Sequence, residues 1–142
     1  MEKKRHTIKH NLICTKNKFI LYSSKAYNGA THDKKIADEE QLVFSKDKKI
    51  TLNKDTGFQG YEPENVTCVQ PTKKPKGAEL SPEQKQMNKT ISSKRILIEH
   101  AIGGVKILRI LKDELRIYKE KTRNLIMQIA CAIHNLKMNI KS

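Results

Sequence analysis

Ile50-Thr51-Leu52-Asn53-Lys54-Asp55-Thr56-Gly57-Phe58-Gln59-Gly60-Tyr61 is the stretch that decides how this chain reads. Ile50 to Leu52 form a compact β-prone run. A carboxylate, Asp55, stands just past the C-terminal end of that run, and Gly57 and Gly60 then force a tight turn. Folds of the α/β class present functional groups at this place, outside the carboxyl end of a strand. Val66-Thr67-Cys68-Val69 is a further short strand, closed by Pro71.

Upstream, residues His6 to Ile13 alternate loosely, with Ile8 and Leu12 on one face. Thr15 to Lys18 reads as a turn and Phe19 to Tyr22 as an apolar strand, which together suggest an antiparallel hairpin. Thr31 is a candidate cap for a helix over His32 to Phe44, with Ile36, Leu42 and Val43 on its buried side. Downstream, Pro71 to Gly77 is a basic, proline-containing loop. Ser81-Pro82-Glu83-Gln84 combines an N-cap, a proline at the first helical position and a capping-box glutamine. Met87, Ile91, Ile98, Ile102 and Val105 mark one apolar face of the helix that follows, and Gly103-Gly104 would bend or weaken it. A last helix runs from about Lys121 to Met138, with Leu125, Ile129, Ile133 and Leu136 as its face. The expected organisation is one domain over 1–142: strand-rich 5–70, a basic loop 71–80 and helical 81–139.

At 142 residues, with 37% hydrophobic and 5% aromatic residues, the chain can build one modest core filled by Leu, Ile and Val. Lys and Arg number 29 against 15 Asp and Glu, a net charge of +14. Self-repulsion at that charge costs stability, which points to a polyanionic partner, nucleic acid first. A Lys-biased genome would give the same count. Cys14, Cys68 and Cys131 are widely spaced with no C-x-x-C pair, which argues against a disulfide framework or a zinc site and suits a reducing compartment. No apolar run approaches the ~20 residues of a membrane span, and nothing at the N-terminus reads as a signal peptide. A cytoplasmic protein, nucleoid-associated if bacterial, is expected.

A second carboxylate, Glu99, lies inside the long helix, one position from Ile98 and so close to its buried face. A Glu there is costly without a partner or a cation. Were the helix to cross the sheet, Asp55 and Glu99 would converge, and a divalent cation would remove their mutual repulsion. Mg²⁺ or Mn²⁺ takes such oxygen ligands, and two ions can clamp the attacking and leaving oxygens of a phosphodiester. The plainer reading also stands on spacing alone: Glu99 pairs with Arg95 one turn earlier, and Asp55 starts a turn. Lys73, Lys74 and Lys76 either touch phosphates or form a solvated loop. Lys106 and Arg109 follow Glu99 on the helix and could line a DNA groove, while Arg95 is a DNA contact or a partner of Glu99. His32 is either a site residue or surface, His100 a packing or supporting residue beside Glu99, and His134 ordinary helix surface.

Five segments resemble, in order, the DDE-type transposases of bacterial insertion sequences, whose catalytic domain also occurs in eukaryotic Harbinger-type elements. They are KKRHTIK (3–9), GATHDKK (29–35), KDTGFQGY (54–61), TKKPKG (72–77) and RILIEHAIGGVKILRIL (95–111). The resemblance implies an RNase H-like mixed sheet with flanking helices and three metal-binding acids. Asp55 matches the second acid, and Glu99 the third, with His100, Ile102 and Gly103 completing that match. The first acid, on a strand that precedes KKRHT in the family, has no counterpart here; Asp33 reads as a helix-start residue. The family's upstream helical DNA-binding region has no counterpart either. The expectation is therefore a truncated catalytic domain lacking its central strand, with the 6–13 and 19–23 strands on one side of the gap and the 50–54 and 66–69 strands on the other. Such a chain would be marginally stable and inactive alone. The intact enzyme would hydrolyse a phosphodiester at an element end and use the freed 3′-hydroxyl to attack target DNA. Two other readings remain: half of a two-chain enzyme completed by an upstream fragment or a second copy, and a basic DNA-binding protein without metal chemistry.

Overall fold

The computed structural model describes residues 7–108 and 119–141. Along the chain run β1 (Ile8–Lys9), β2 (Leu12–Cys14), β3 (Ile20–Ser23), β4 (Tyr27–Asn28), α1 (Asp33–Glu40), β5 (Ile50–Asn53), a 3-10 turn (Thr56–Phe58), β6 (Val66–Val69), α2 (Pro82–Val105) and α3 (Glu120–Ile140). This is a mixed α/β chain with three two-stranded ladders among the described residues. It divides into two compact units. One comprises Met1–Thr31 with Leu97–Ser142, the other His32–Ile96.

The first unit is built on a hairpin. β2 pairs antiparallel with β3, and β1 with β4. The expected 6–13 strand is thus two short ones. Between them Ser24 bridges the ribbon, its N–H donating to Asn11 O at 2.9 Å and its Oγ accepting from Asn11 N at 2.8 Å. The Thr15–Lys18 turn is as expected, with Lys18 in the left-handed region at φ 65. Ile20 packs with Ala101 and Val105 of α2 and with Met127, Ala130 and Cys131 of α3 to form the core.

The face that α3 buries is opposite to the expected one. Met127, Ala130, Cys131 and His134 are buried, whereas Leu125, Ile129 and Leu136 are 49–59% exposed. Both faces are apolar, so periodicity cannot choose between them. Polar groups choose. Asn135 Oδ1 accepts from Ile20 N and its Nδ2 donates to Ile20 O, both at 2.8 Å. Asn124 Oδ1 accepts from Ala26 N at 2.7 Å. These amides satisfy hairpin backbone that would otherwise be buried without partners. His134, expected at the surface, is 5% exposed, and its Nε2 lies 2.8 Å from Lys18 O.

The second unit holds the parallel pair β5 and β6, in register from Ile50 opposite Val66 to Asn53 opposite Val69. The crossover between them, 54–65, is close to the shortest a parallel pairing allows, about a dozen residues. α1 is shorter than expected. Its N-cap is His32, with no side-chain cap bond, rather than Thr31, and it ends at Gln41 in the left-handed region. Ile36 and Ala37 are buried as an i, i+1 pair, while Val43, expected inside, lies beyond the helix and is 94% exposed. On α2, Ile91 and Val105 are buried but Met87 is 59% exposed, and the helix continues through Gly103 and Gly104 to its end.

Candidate active site

Asp55 is the residue after β5 and Lys54, at the mouth of the parallel pair. The ladder is zipped to its end, Lys54 N donating to Val69 O at 2.8 Å, and beyond that point the two strands part. Asp55 caps the 3-10 turn: its Oδ1 accepts from Thr56 N at 2.7 Å. The same oxygen faces Arg95 Nη1 of α2 at 3.4 Å, with both side chains about half exposed. Among the described residues these bonds all fall on Oδ1, which leaves the other carboxylate oxygen open. Gly57 lets this turn close on α1, because an added Cβ would stand 2.6 Å from Asp33 Oδ2.

Sequence spacing offers Glu99 as a partner for Arg95; the structure sets Arg95 beside Asp55. Glu99 lies four residues further along α2, one helical turn, and is exposed rather than close to a buried face. The core stripe at that level is carried by Ala101 and Val105. His100 and Lys106 are exposed, as are His32, Lys73, Lys74 and Lys76. Arg109 lies outside the described residues.

Beneath the turn sits a lysine whose importance sequence motifs did not show. The Lys54 side chain is 2% exposed. Its Nζ donates to Tyr61 O and to Glu62 Oε1, the latter at 2.7 Å, so it ties the end of the 55–61 loop to its beginning. That hydrogen bond holds the Glu62 carboxyl below its ordinary range. Burial, and then the Glu62 contact, push the neighbouring Cys68 thiol up, which favours its protonated form. Strand alternation carries the signal for Lys54: it shares the inward face with Leu52, two residues earlier.

Asn88 is the other residue sequence reading passed over. Its amide grips the backbone of the basic loop, accepting from Thr72 N at 2.8 Å and donating to Thr72 O at 3.0 Å. Asn88 and Arg95 are seven residues apart, two helical turns, and so share a face of α2. One helix face therefore fixes both the carboxylate and the loop opposite it.

The family model for the DDE superfamily endonuclease matches residues 1–135. The chain belongs to the DDE superfamily of endonucleases. It is 28% identical over 137 residues to the probable transposase for insertion sequence element IS702 of Microchaete diplosiphon. That match covers 96% of this chain and 49% of the relative, so the chain spans about half the length of the curated transposase it matches. No solved structure matches it significantly. The mixed α/β fold is compatible with a DDE endonuclease.

DDE endonucleases use divalent metals, and the donor chemistry at Asp55 suits one: an exposed carboxylate with an open oxygen is the type of ligand Mg²⁺ takes, one or two at a time with waters. Among the described residues, no group of three His, Cys, Asp or Glu is placed to hold a metal ion. No helix among them is long and apolar enough to cross a membrane.

Proposed function

We propose that this chain is the part of a DDE transposase catalytic domain, of RNase H-like lineage, that carries the second and third acids, Asp55 and Glu99, and that it acts on DNA. The reading is supported chiefly by Asp55. It stands at the C-terminal mouth of a parallel strand pair, tied to Arg95, which precedes Glu99 by one turn of α2. The resemblance of the KDTGFQGY (54–61) and RILIEHAIGGVKILRIL (95–111) segments to the family supports the same assignment.

The bound divalent cations would supply charge stabilisation to a phosphodiester and its attacking oxygen. The chain's own groups do the positioning. Asp55 and Glu99 present oxygen donors. The Thr56 N–H and Arg95 orient Asp55 for that task. Lys73, Lys74, Lys76, Lys106 and Arg109 would neutralise backbone phosphates and set the strand's register. The reaction served is hydrolysis at an element end, followed by attack of the freed 3′-hydroxyl on target DNA. On this reading Asp55 and Glu99 are two of the three acids, and turnover would draw the other from a further strand, supplied by an upstream segment, a separate fragment or a second copy.

The test is reconstitution. The chain, co-expressed with a fragment carrying the first strand and its Asp, is assayed for strand transfer in Mg²⁺ or Mn²⁺. Asp55→Asn and Glu99→Gln should each lower the rate by about a thousandfold or more, the several kcal/mol that metal-held charge stabilisation supplies. Strand transfer unaffected by either substitution would defeat the proposal.

One observation favours a second reading. Arg95 neutralises Asp55 through one of its oxygens without any metal ion. A basic DNA-binding protein with no metal chemistry would show salt-sensitive binding that ignores Mg²⁺, and no strand transfer in any reconstitution.

A further inference from the structure

α3 turns outward the apolar row that sequence periodicity marks as its buried side. Leu125, Ile129, Leu136 and Ile140 are about half exposed or more, and Ala132 among them is exposed too. The steps from Leu125 to Ile129, Ala132, Leu136 and Asn139 alternate four and three, and Thr122 extends the row seven residues before Ile129. That alternation keeps one seam of a helix facing a second helix along its length. α3 has 21 residues and is about 31 Å long, so the seam runs for two to three heptads. From Thr122 to Asn139 the row carries no charged side chain, in a chain with 29 Lys and Arg to place on its surface. A solvated helix side is normally the charged one.

Laid against a reversed copy of itself, the row matches layer by layer. Leu125 meets Leu136 of the partner subunit. Ile129 meets the partner's Ala132, a large side chain against a small one, and Thr122 meets the partner's Asn139, polar on polar. Lys121, exposed at the start of the row, falls beside the last turn of the opposite helix. The final carbonyls of a helix lack intrahelical donors and form its negative end, so a cation is favoured there. Two copies running in the same direction would set Ala132 against Ala132, leaving a void, and Lys121 against Lys121 at two positive helix ends. Charge and volume therefore both select a second copy in reverse orientation.

We propose that two copies of this chain associate through an antiparallel α3–α3 seam, with Leu125 and Leu136 as its outer apolar layers and Ile129 and Ala132 at its centre. Such a contact is isologous and closes on itself as a dimer. One helix row of this length falls below the roughly 800 Å² per partner of a stable interface, and each copy carries a charge of +14, so the dimer is weak and reversible. Salt screens the repulsion between copies and leaves the apolar contact intact. Pairing therefore tightens as salt rises, the reverse of DNA binding. The seam stands independently of the transposase reading.

Sedimentation equilibrium of the full chain, at concentrations up to several hundred micromolar and at low and high salt, should show a reversible monomer–dimer equilibrium. Leu125→Glu and Leu136→Lys should each weaken it about tenfold or more, by burying a charge against leucine. Thermal melts at dilute, monomeric concentration should stay close to wild type, because both side chains are exposed. An equimolar mixture of the two variants supplies the decisive readout. The reversed seam joins the new carboxylate to the new ammonium in one layer and keeps leucine on leucine in the other, so the mixed dimer should recover most of the lost affinity. Helices running in the same direction would leave both charges against leucine, with no recovery. A chain that stays monomeric, a dimer indifferent to both substitutions, or a mixture that does not recover would each overturn the proposal. A monomer whose α3 row is covered only after an upstream fragment is added would assign the row to that fragment and overturn self-pairing too.

Discussion

At Lys54 a buried ammonium meets a carbonyl oxygen and an exposed carboxylate, and the two sides of that contact are not equivalent. Lys54→Met removes the charge and leaves Glu62 in water, where it is already well solvated. Glu62→Ala leaves the ammonium buried with only the Tyr61 carbonyl, the situation that breaking a buried pair makes costly. Glu62→Ala should therefore lower the urea midpoint more than Lys54→Met does. The acid response follows from the same contact. Folding holds the Glu62 carboxyl below its ordinary value of 4.5. Its contribution is present in full above that value and is lost as pH falls through the lower, folded one. The stability gap between wild type and Glu62→Gln should be full above the ordinary carboxylate value and should shrink as the pH is taken below it, as measured by urea unfolding at each pH. A gap that persists in strong acid would mean that Glu62 acts through packing rather than charge.

Helices and strands were legible in this sequence to different depths. The Ser81–Gln84 start of α2 is as the capping residues indicate, with Gln84 N donating to Ser81 Oγ and Ser81 N to Gln84 Oε1. The 50–53 and 66–69 strands and the Asp55 turn also stood out, because β-branched runs end in glycine and proline there. Which side of α3 faces inward did not. It is decided by asparagine and histidine bonds to a hairpin more than a hundred residues away in sequence. The contact of Arg95 with Asp55 was hidden for the same reason: spacing within a helix cannot see a carboxylate 40 residues upstream.

The Gly103-Gly104 pair tests this element-level account. A Cβ at Gly103 meets nothing within 4 Å, whereas one at Gly104 would overlap the His134 ring. Gly103→Ala should stabilise α2 by about 0.5–1 kcal/mol. Gly104→Ala should destabilise by about 1–3 kcal/mol through overpacking. Thermal melts of the two variants should shift in opposite directions.

For the whole molecule, the net charge of +14 and the partial family match point the same way. DNA affinity should fall steeply with salt, log K dropping by about 0.9 per duplex phosphate contacted for each unit of log salt. A flat response between low and physiological salt would remove DNA as the partner. If an upstream strand completes the sheet, its binding to the folded form alone must raise the melting temperature, and by more at higher fragment concentration. A fragment that restores strand transfer yet leaves the melting temperature unmoved would contradict completion of the sheet.

Asn135 has a consequence for how such a completion can proceed. By meeting both main-chain groups of Ile20, its carboxamide imitates a neighbouring strand for the length of one residue. That flank of the ribbon is thereby closed to growth: a newcomer, whether an added strand or a stray chain bent on aggregation, must first evict α3. Docking is thus steered toward the opposite flank, and swapping Asn135 for leucine should turn a selective seam into a sticky one.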